Sequence, residues 1–469
     1  MHSTNFNTSI QPQVFTPGYL HIPSRLERFV QTSCLEQTDA SGQRTIYECS
    51  GFLEADPAER ICPHCGHKLH IKSSKETTLR HLPFGDAYTH ISFRQDRLFC
   101  EHCGHSHMEK IPFKADHHKI TKALKTYVED LLSLNTFTNR SIAEMAGLGS
   151  HTVAAIDKAR LARKYVKDGK LKMPDTYSRF LCIDEFKLHN GHQYATHIID
   201  LETGHVLWIA RGKKKQVVYD FIEAVGMEWM DHVEAVACDM NSDFEEAFEE
   251  KCEWITIVFD HFHIVKNFND KVVSAVRKDE QNRLKEAGLD DQARNLKGSK
   301  YILTSSRESL AKKDARAEAG AVIQVENTLF GLKPILAKSG YVQRYKQLIK
   351  ENELLLTCDI IKEQLDAAYQ STDENEMARL IIEIIDTCNG TKNRHFEWFG
   401  RLLLNHFEGI ISHATYKLSS GKIEGINNKI KTLRRQAYGY RDDGYFFLKI
   451  IDASRSRPAR NPKSHRIFH

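Results

Sequence analysis

The chain has 469 residues, of which 41% are hydrophobic and 27% are charged, and its formal net charge is +4. This length allows two to four domains with sizeable cores, and the hydrophobic content is ordinary for a globular protein. No segment approaches the roughly 18 consecutive apolar residues of a membrane span, and the start of the chain lacks the basic and apolar pattern of a signal peptide. We therefore expect a cytoplasmic protein.

Residues 1–60 are polar, show no clear periodicity and carry two isolated thiols, Cys34 and Cys49. No function is predicted for this segment. A repeat follows, because residues 62–67 and 100–105 both have the pattern C-x-H-C-G-H. Four of the eleven cysteines thus form close pairs, which in a cytoplasmic chain indicates metal binding rather than disulfides.

These two knuckles predict a structural zinc site. Tetrahedral zinc accepts four thiolates at about 2.3 Å each, which leaves no open position for catalysis. The glycine after each second cysteine permits the tight turn that such a knuckle needs. Neighbouring histidines leave a site with three cysteines and one histidine open, and Leu79–Phe99 is predicted to form short strands of a zinc ribbon. The expected ligands are Cys62, Cys65, Cys100 and Cys103, and the histidines are His64, His67, His70, His102, His105 and His107.

Three helices are predicted next. Apolar residues follow helical spacing over Ile120–Leu134, a short helix covers Asn139–Ala146, and a third covers His151–Arg163 after a glycine turn, with Ser150 as its N-cap. This order is typical of a helix-turn-helix, whose last helix lies in a DNA major groove, although a plain helical packing unit has the same pattern. A basic linker is expected over Lys164–Pro174. The candidate DNA contacts are His151, Thr152, Lys158 and Arg160.

A strand that is expected to end on its acids, Arg179–Phe186 with Asp184, starts a predicted meander with His192–Asp200 and His205–Ile209. After a helix, Val233–Asp239 is another apolar run ending on an acid, and a crossover would return it parallel to the first strand. Asp184 and Asp239 would then lie at the same edge of the sheet. Trp254–Phe259 is predicted as a further buried strand before about 150 helical residues.

The last informative stretch is Leu418–Lys431, in which Ser419 or Ser420 can cap a helix that carries Glu424 in its first turn. Asn427, Asn428 and Lys431 lie close to the same face of that helix. Residues 417–469 hold 13 Lys/Arg against 4 Asp/Glu. A basic end after an acidic centre suits a phosphate backbone beside a metal site, and a solvated tail is the alternative.

The segments IDEF, ACDM, VFDHFH and SSGKIEGINNKIKTLRRQAYGY, in this order and separated by a long helical stretch, resemble bacterial insertion-sequence transposases of the ISL3 family. The resemblance covers residues 60–452 and implies an α/β fold, with a zinc ribbon and a helix-turn-helix before a DDE catalytic domain of ribonuclease H-like fold. It aligns Asp184, Asp239 and Glu424 with the three catalytic carboxylates. Asp260 and His263 resemble the D-x-x-H element of many such enzymes and are expected beside the metal ligands.

The resemblance also implies a domain order in which a helical insertion splits the mixed sheet of the catalytic domain. The predicted segments are 1–60 without a role, 61–110 for zinc, 115–170 for the helix-turn-helix, 178–266 and 412–452 for the catalytic domain, 267–411 for the insertion and 453–469 for a basic tail.

Phosphodiester cleavage requires an activated oxygen on one side and a stabilised leaving oxygen on the other, which two Mg²⁺ or Mn²⁺ ions about 3.5–4 Å apart supply. Carboxylates are the ligands that such cations prefer, and Asp184 is expected to bridge both ions. The expected partners are the double-stranded terminal inverted repeats and target DNA, in the bacterial cytoplasm and nucleoid, with at least a dimer. The expected phosphate contacts are Lys422, Lys431, Arg434, Arg435 and Arg441.

Each carboxylate has an alternative: Glu185 for Asp184, Asp243 for Asp239, and an ordinary exposed helical acid for Glu424. Two other functions are also consistent with the pattern. One is a DNA-binding regulator descended from a transposase, and the other is a structure-specific nuclease without strand transfer.

Overall fold

The computed structural model describes residues 26–38, 42, 44–320, 322–328, 331–419 and 421–455, without the side chains of 321–335. Two compact units are present. Unit 1 holds the described residues up to Lys172 and those from Ile430 onward, and unit 2 runs from Met173 to Lys429. The predicted cap Ser420 and most of the predicted basic tail lie outside the described residues. No described helix is long and apolar enough to span a bilayer.

Unit 1 begins with a five-stranded sheet. Its strands are β1 (Phe29–Thr38), β2 (Thr45–Leu53), β3 (His70–Phe84), β4 (Ala87–Phe99) and β5 (Ser106–Met108). The order is β1-β2-β4-β3 with β5 against β4, and only β2 and β4 run parallel. The first two strands fall in the segment without a predicted role, and Cys34 faces Cys49 there instead of being isolated. Most of their side chains are half-buried, so the sequence shows no clean alternation.

The strands of the zinc ribbon are longer than the short strands expected over Leu79–Phe99. β3 and β4 form one long hairpin, and their inner side chains Leu79, Ile91 and Phe93 are buried with Phe113. Because both strands continue to the knuckles, the ribbon and the N-terminal hairpin share one sheet instead of forming separate domains.

The three predicted helices are present as α1 (Lys122–Ser133), α2 (Asn139–Ala146) and α3 (Ser150–Tyr165). Their buried core contains Leu124, Val128, Ile142, Val153 and Ile156. The N-cap of α3 is Gly149 and not the predicted Ser150, because Gly149 is extended and Ser150 is already helical.

The turn between α2 and α3 requires glycine at position 147. Gly147 has a φ of 64°, and a Cβ there would lie 2.8 Å from the ring of Tyr88. The Tyr88 hydroxyl donates to the carbonyl of Glu144 at 2.6 Å. The close approach therefore fastens the end of α2 to strand β4.

The linker predicted over Lys164–Pro174 is partly ordered. Helix α3 continues to Tyr165, and β6 (Val166–Lys167) and β7 (Lys170–Leu171) then form a tight hairpin. The Tyr165 side chain is buried, which keeps the last turn of α3 helical.

Unit 2 contains the predicted meander and crossover. The elements are β8 (Phe180–His189), β9 (Gln193–Asp200), β10 (Val206–Arg211), α4 (Lys215–Val225), α5 (Met227–Met230), β11 (Ala235–Cys238), α6 (Ser242–Lys251) and β12 (Thr256–Phe259). The sheet order is β10-β9-β8-β11-β12, with β8 to β10 antiparallel and β11 parallel to both β8 and β12. One expectation changes: β8 continues past Asp184 to His189, so this carboxylate lies within a strand and not at its end.

The region after β12 is mostly helical, as predicted. It contains α7 (His261–Asn267), a π-helix (Phe268–Val273), α8 (Ser274–Glu286), α9 (Asp290–Leu296), α10 (Lys300–Thr304), α11 (Arg307–Glu318), β13 (Val322–Thr328), β14 (Gly331–Leu336), α12 (Tyr341–Lys350), α13 (Glu353–Gln370), α14 (Glu374–Gly390), α15 (Arg394–Asn405), α16 (Phe407–Ile411) and α17 (His413–Tyr416). The hairpin of β13 and β14 was not predicted. Side chains of these helices share one buried core with the sheet.

The last described helices are α18 (Gly421–Gln436) and α19 (Asp443–Arg455). The sequence pattern assigned 412–452 to the catalytic domain, whereas the structure groups the residues from Ile430 onward with unit 1. The physical reason is a set of buried ionic contacts between α19 and α3.

Two buried aspartates carry these contacts. Asp452 accepts hydrogen bonds from the Tyr165 hydroxyl at 2.6 Å, the Lys164 ammonium at 2.9 Å and the Arg160 guanidinium at 3.1 Å. On α3, Asp157 binds Arg160 at 2.8 Å, and on α19 Lys449 lies 3.0 Å from Asp157. Sequence reasoning missed this network because its partners are almost 300 residues apart in the chain.

Candidate functional site

The register of the sheet in unit 2 brings two of the predicted carboxylates together. β11 pairs with β8 in parallel, and Cys238 lies beside Ile183. Asp239 and Asp184 are the next residues on the two chains, and adjacent strands lie about 4.8 Å apart. The predicted juxtaposition of these two aspartates at one edge is therefore present, with Asp239 at the end of a strand and Asp184 inside one.

Helix α18 is fastened to this sheet by two side chains. The amide nitrogen of Asn427 donates to Asp184 Oδ2 at 2.6 Å. The ammonium of Lys422 donates to the backbone carbonyls of Leu201 and Glu202 at 2.5 and 2.6 Å. Helix α18, which carries Glu424 in its first turn, is therefore held to the sheet at two points, the turn after β9 and Asp184 within β8.

The third predicted carboxylate, Glu424, does not meet the other two in the structure. Among the described residues, Asp184, Asp239 and Glu424 do not form a group whose ligand atoms all lie within 4.8 Å of one another. The Glu424 side chain is exposed, one helical turn from the Asn427 amide that contacts Asp184. Glu424 and Asn427 are three residues apart, which corresponds to about 4.5 Å along the helix axis.

The histidine of the D-x-x-H element contacts one of the two aspartates. His263 Nδ1 lies 3.3 Å from Asp239 Oδ1, and Asp260 is a buried residue that precedes α7 as its N-cap. His263 is thus held against a predicted metal ligand, as the sequence pattern anticipated.

The two aspartates differ in their electrostatic surroundings. Burial raises the pKa of Asp184, although hydrogen bonds from the Glu185 amide and from Asn427 oppose this effect. Burial also acts to raise the pKa of Asp239, but the hydrogen bond and charge of His263, with a smaller contribution from Lys266, hold that pKa below its ordinary value. Two neighbouring carboxylates in a partly buried site attract a divalent cation, because the cation removes their mutual repulsion.

The donor set fits a hard divalent cation. Asp184 and Asp239 supply carboxylate oxygens from neighbouring backbone positions, and Glu424 is a third carboxylate on the helix whose Asn427 already contacts Asp184. Oxygen ligands of this type suit Mg²⁺ and Mn²⁺ better than softer metals. The rival acid Asp243 lies in the first turn of α6, where the helix dipole gives it a structural role.

The four predicted zinc ligands meet in unit 1. Cys62, Cys65, Cys100 and Cys103 have sulfur atoms within 4.8 Å of one another. The Cys62–Cys103 and Cys65–Cys100 sulfur distances are 3.5 and 3.4 Å, close to the roughly 3.8 Å edge of a tetrahedron with 2.3 Å Zn–S bonds.

The two knuckles share one backbone geometry, since Gly66 and Gly104 both have a φ of 74°. The neighbouring histidines stack in pairs across the knuckles, His64 on His105 and His67 on His102. The structure thus supports a zinc site with four cysteine ligands, and Cys65, His67 and His102 also lie within 4.8 Å of one another.

The predicted DNA-contacting residues divide into two groups. Arg160 is buried in the network with Asp157 and Asp452, so we withdraw it as a DNA contact. Lys422 is committed to backbone carbonyls of its own unit, and the ammonium of Lys158 is paired with Asp442. Arg434 lies over the ring of Phe446. Exposed positions are His151, Lys431, Arg435 and Arg441, and Thr152 is half-buried.

One feature of the site was not found from the sequence. His197 lies directly opposite Asp184 across the strand pair and is fully buried, which lowers its pKa to about 4. The last six residues of β9 are all buried, so nothing in the sequence distinguishes His197 from a packing residue.

Comparison with known proteins agrees with this architecture. The sequence model of the ISL3 transposases matches residues 181–450, and that of the zinc-finger of transposase IS204/IS1001/IS1096/IS1165 matches residues 58–103. The transposase for insertion sequence element IS1001 of Bordetella parapertussis is 28% identical over 85% of this chain and 90% of its own length. The transposase for IS1557 of Mycobacterium tuberculosis H37Rv is 23% identical over 89% of this chain and 94% of its own length. The chain therefore belongs to the ISL3 family of insertion-sequence transposases.

Proposed function

We propose that the chain is a DDE transposase that binds the terminal inverted repeats of its element, cleaves their strands with the help of metal ions and joins them to target DNA. The observation that carries this proposal is the parallel register that sets Asp239 beside Asp184, with the helix of Glu424 fastened to Asp184 through Asn427.

The architecture of unit 2 supports the proposal. A three-stranded meander followed by two parallel strands is the sheet expected of a ribonuclease H-like domain, and the chain between β12 and α18 is the helical insertion. Ligands of α/β sheets bind outside the carboxyl ends of parallel strands. Asp239 lies at that end of β11, so the sheet and the carboxylates favour the same location.

Asp184, Asp239 and Glu424 would hold the divalent cations. When bound, the cations would stabilise the attacking and the leaving oxygen of the phosphodiester. The residues of the chain orient the site. Asn427 fixes Asp184 and His263 fixes Asp239, whereas the Glu424 side chain would have to turn towards the two aspartates to share a cation with them.

Unit 1 would recognise the element ends. We propose α2 and α3 as a helix-turn-helix, in which His151 and Thr152 start the recognition helix and contact bases or phosphates. The zinc ribbon supports these helices through Tyr88. Exposed Lys431, Arg435 and Arg441 would contact phosphates. Synapsis of two ends requires at least a dimer, and the reaction would take place at the bacterial nucleoid.

The test uses the purified chain, labelled DNA carrying the terminal repeats that flank its coding sequence, a target plasmid and Mg²⁺. Wild type should cut the ends and join them to the plasmid. Asp184→Asn, Asp239→Asn and Glu424→Gln should each bind the ends normally and lose cleavage. Asp243→Asn is the matched control, since it changes a neighbouring acid outside the proposed site, and it should retain activity.

The outcomes separate the candidate functions. Binding without cutting by the wild-type chain would indicate a transposase-derived regulator, and cutting without joining would indicate a nuclease. Persistent cleavage by Asp184→Asn would contradict the proposed site.

A further inference from the structure

A small cleft opens on unit 2 beside the proposed catalytic cluster. It has a volume of about 240 Å³ and lies between the helix that starts at His261 and helix α10. Phe262, Val265, Lys266 and Asn269 line one wall at helical spacing, and Lys300 lines the other. The volume is below the roughly 300–1,000 Å³ of sites for drug-sized ligands, so the cleft suits a single planar group.

The lining combines an aromatic face with positive charge. The Phe262 side chain is 50% exposed although it is large and apolar. Lys266 and Lys300 contribute two cations, and Asp270 offsets one of them, since it lies 3.4 Å from the Lys300 ammonium. An exposed aromatic ring next to cations is the combination that binds an unpaired nucleotide, whose base stacks while its phosphate is neutralised.

A third observation points to a ligand with hydrogen-bond donors. Asn269 Oδ1 is buried, and no donor among the described residues lies within hydrogen-bonding distance of it. A buried acceptor without a partner costs roughly as much as a lost hydrogen bond, so such groups in a cleft are commonly completed by a ligand or by water. The exocyclic amine of a nucleobase is such a donor, and it reaches this covered oxygen when the Asn269 amide turns towards the cleft.

The position of the cleft defines which nucleotide it would bind. Phe262 is the chain neighbour of His263, whose ring nitrogen lies 3.3 Å from the Asp239 carboxylate. Consecutive Cα atoms are about 3.8 Å apart, so a base on Phe262 belongs to a nucleotide within a few positions of a phosphate bound at Asp239. The chain here changes into a π-helix at Phe268, and such turns are frequent at functional sites.

We propose that this cleft is a nucleobase site in which an unpaired base next to the cleaved phosphate stacks on Phe262, with its backbone at Lys266 and Lys300 and its edge at Asn269. This inference rests on the proposed function, because it assigns the nucleotide to the DNA end that is cut. A base inside a duplex is stacked on both faces by its neighbours and has no face left for an aromatic side chain. The nucleotide must therefore be unpaired or flipped out.

The test is a double-mutant cycle between protein and DNA. Single-turnover cleavage is measured for wild type, Phe262→Ala and Phe262→Trp on intact end DNA and on DNA with one abasic nucleotide, which is placed in turn at each of several positions around the cut. Phe262→Ala should slow cleavage of intact DNA about tenfold, in the range expected when one stacked base is lost. At one abasic position the same substitution should have no further effect, and Phe262→Trp should restore the rate.

Trp254→Ala is the matched control, because Trp254 is also an exposed aromatic residue but precedes β12, at the opposite end of that strand. It should cut at the wild-type rate. Equal rates for Phe262→Ala and wild type would overturn the proposal. Equal losses for Phe262→Ala on intact DNA and on every abasic DNA would also overturn it, since they would indicate a structural role for the ring.

A second measurement keeps this inference separate from the proposed function. If wild type cuts no DNA, the proposed function fails, and the cleft is tested by the fluorescence anisotropy of a labelled thymidine dodecanucleotide. The nucleobase site predicts about tenfold weaker binding for Phe262→Ala than for wild type and Trp254→Ala. Identical binding by all three proteins would refute it.

Discussion

The buried carboxylate of Asp452 gives the sharpest stability prediction. Its side chain is only 3% exposed, and it accepts hydrogen bonds from Tyr165, Lys164, Arg160 and Asn135. Asp452→Asn keeps the shape of the side chain but removes the charge that faces the Arg160 guanidinium. We expect this substitution to destabilise unit 1 strongly.

The magnitude follows from the burial of the pair. Removing one partner of a buried ion pair costs about 3–5 kcal/mol, because the other charge remains uncompensated. The Lys164 ammonium is 54% exposed, so water replaces much of its interaction, and we expect the lower end of that range, about 3 kcal/mol. For a unit of this size such a loss corresponds to a decrease of about 6–12 °C in the thermal midpoint.

The effect should depend on pH in a defined direction. Burial acts to raise the pKa of Asp452, but the hydrogen bonds from Tyr165 and Lys164 and the charge of Arg160 outweigh it and hold the pKa far below its ordinary value. A carboxyl whose folded pKa is depressed stabilises the fold above its unfolded pKa of about 3.9 and loses this contribution as pH falls below that value. The difference between wild type and Asp452→Asn should therefore be full at neutral pH and shrink below about pH 4.

The assay is thermal unfolding followed by circular dichroism, with binding of end DNA as a second readout. Asp442→Asn is the matched control, because Asp442 pairs with Lys158 on the same helix but both side chains are about half exposed. An exposed pair contributes less than about 1 kcal/mol. If Asp452→Asn lowers the thermal midpoint no more than Asp442→Asn does, the buried network does not hold α19 against α3, and the account of unit 1 is wrong.

Three further predictions concern metal and DNA. Asn427→Ala should lower the apparent Mg²⁺ affinity in the cleavage assay about 10–100-fold, because loss of a residue that orients a metal ligand has this effect, and an unchanged Mg²⁺ dependence would remove Asn427 from the site. Cys100→Ser should lower the bound zinc, measured by atomic absorption, from one ion per chain to near zero and destabilise the ribbon, whereas Cys252→Ser, which changes a buried thiol of unit 2, should keep the zinc. Arg435→Gln should reduce the slope of log affinity for end DNA against log salt by about one, while an unchanged slope would show that this exposed side chain contacts no phosphate.

The parts of the fold with strong local patterns could be predicted from the sequence. The cysteine knuckles gave the metal ligands, because their spacing and glycines determine the turn geometry. Strand patterns and chain length predicted the meander and the parallel return of β11. These two features are enough to predict that Asp184 and Asp239 lie side by side. Helical spacing located α1 to α3 within a few residues.

The parts that depend on contacts between distant residues could not be predicted. The hairpin of β1 and β2 has half-buried side chains on both faces, so it lacks the alternation that marks a strand. Arg160 looked like a DNA contact on its helix, yet it is paired with Asp157 on that helix and with Asp452 on α19, at the other end of the chain. Lys422 likewise binds a turn more than 200 residues away. Charge alone does not reveal whether a cation is already paired inside the protein.

The most direct test of the proposed catalytic site is anomalous X-ray diffraction from crystals of the chain with its end DNA and Mn²⁺. We predict manganese peaks about 2.0–2.3 Å from carboxylate oxygens of Asp184 and Asp239, with Glu424 drawn in as a further ligand beside the scissile phosphate. Manganese bound at another group of side chains, with Glu424 pointing away from both aspartates in a complex that still cuts DNA, would contradict the account.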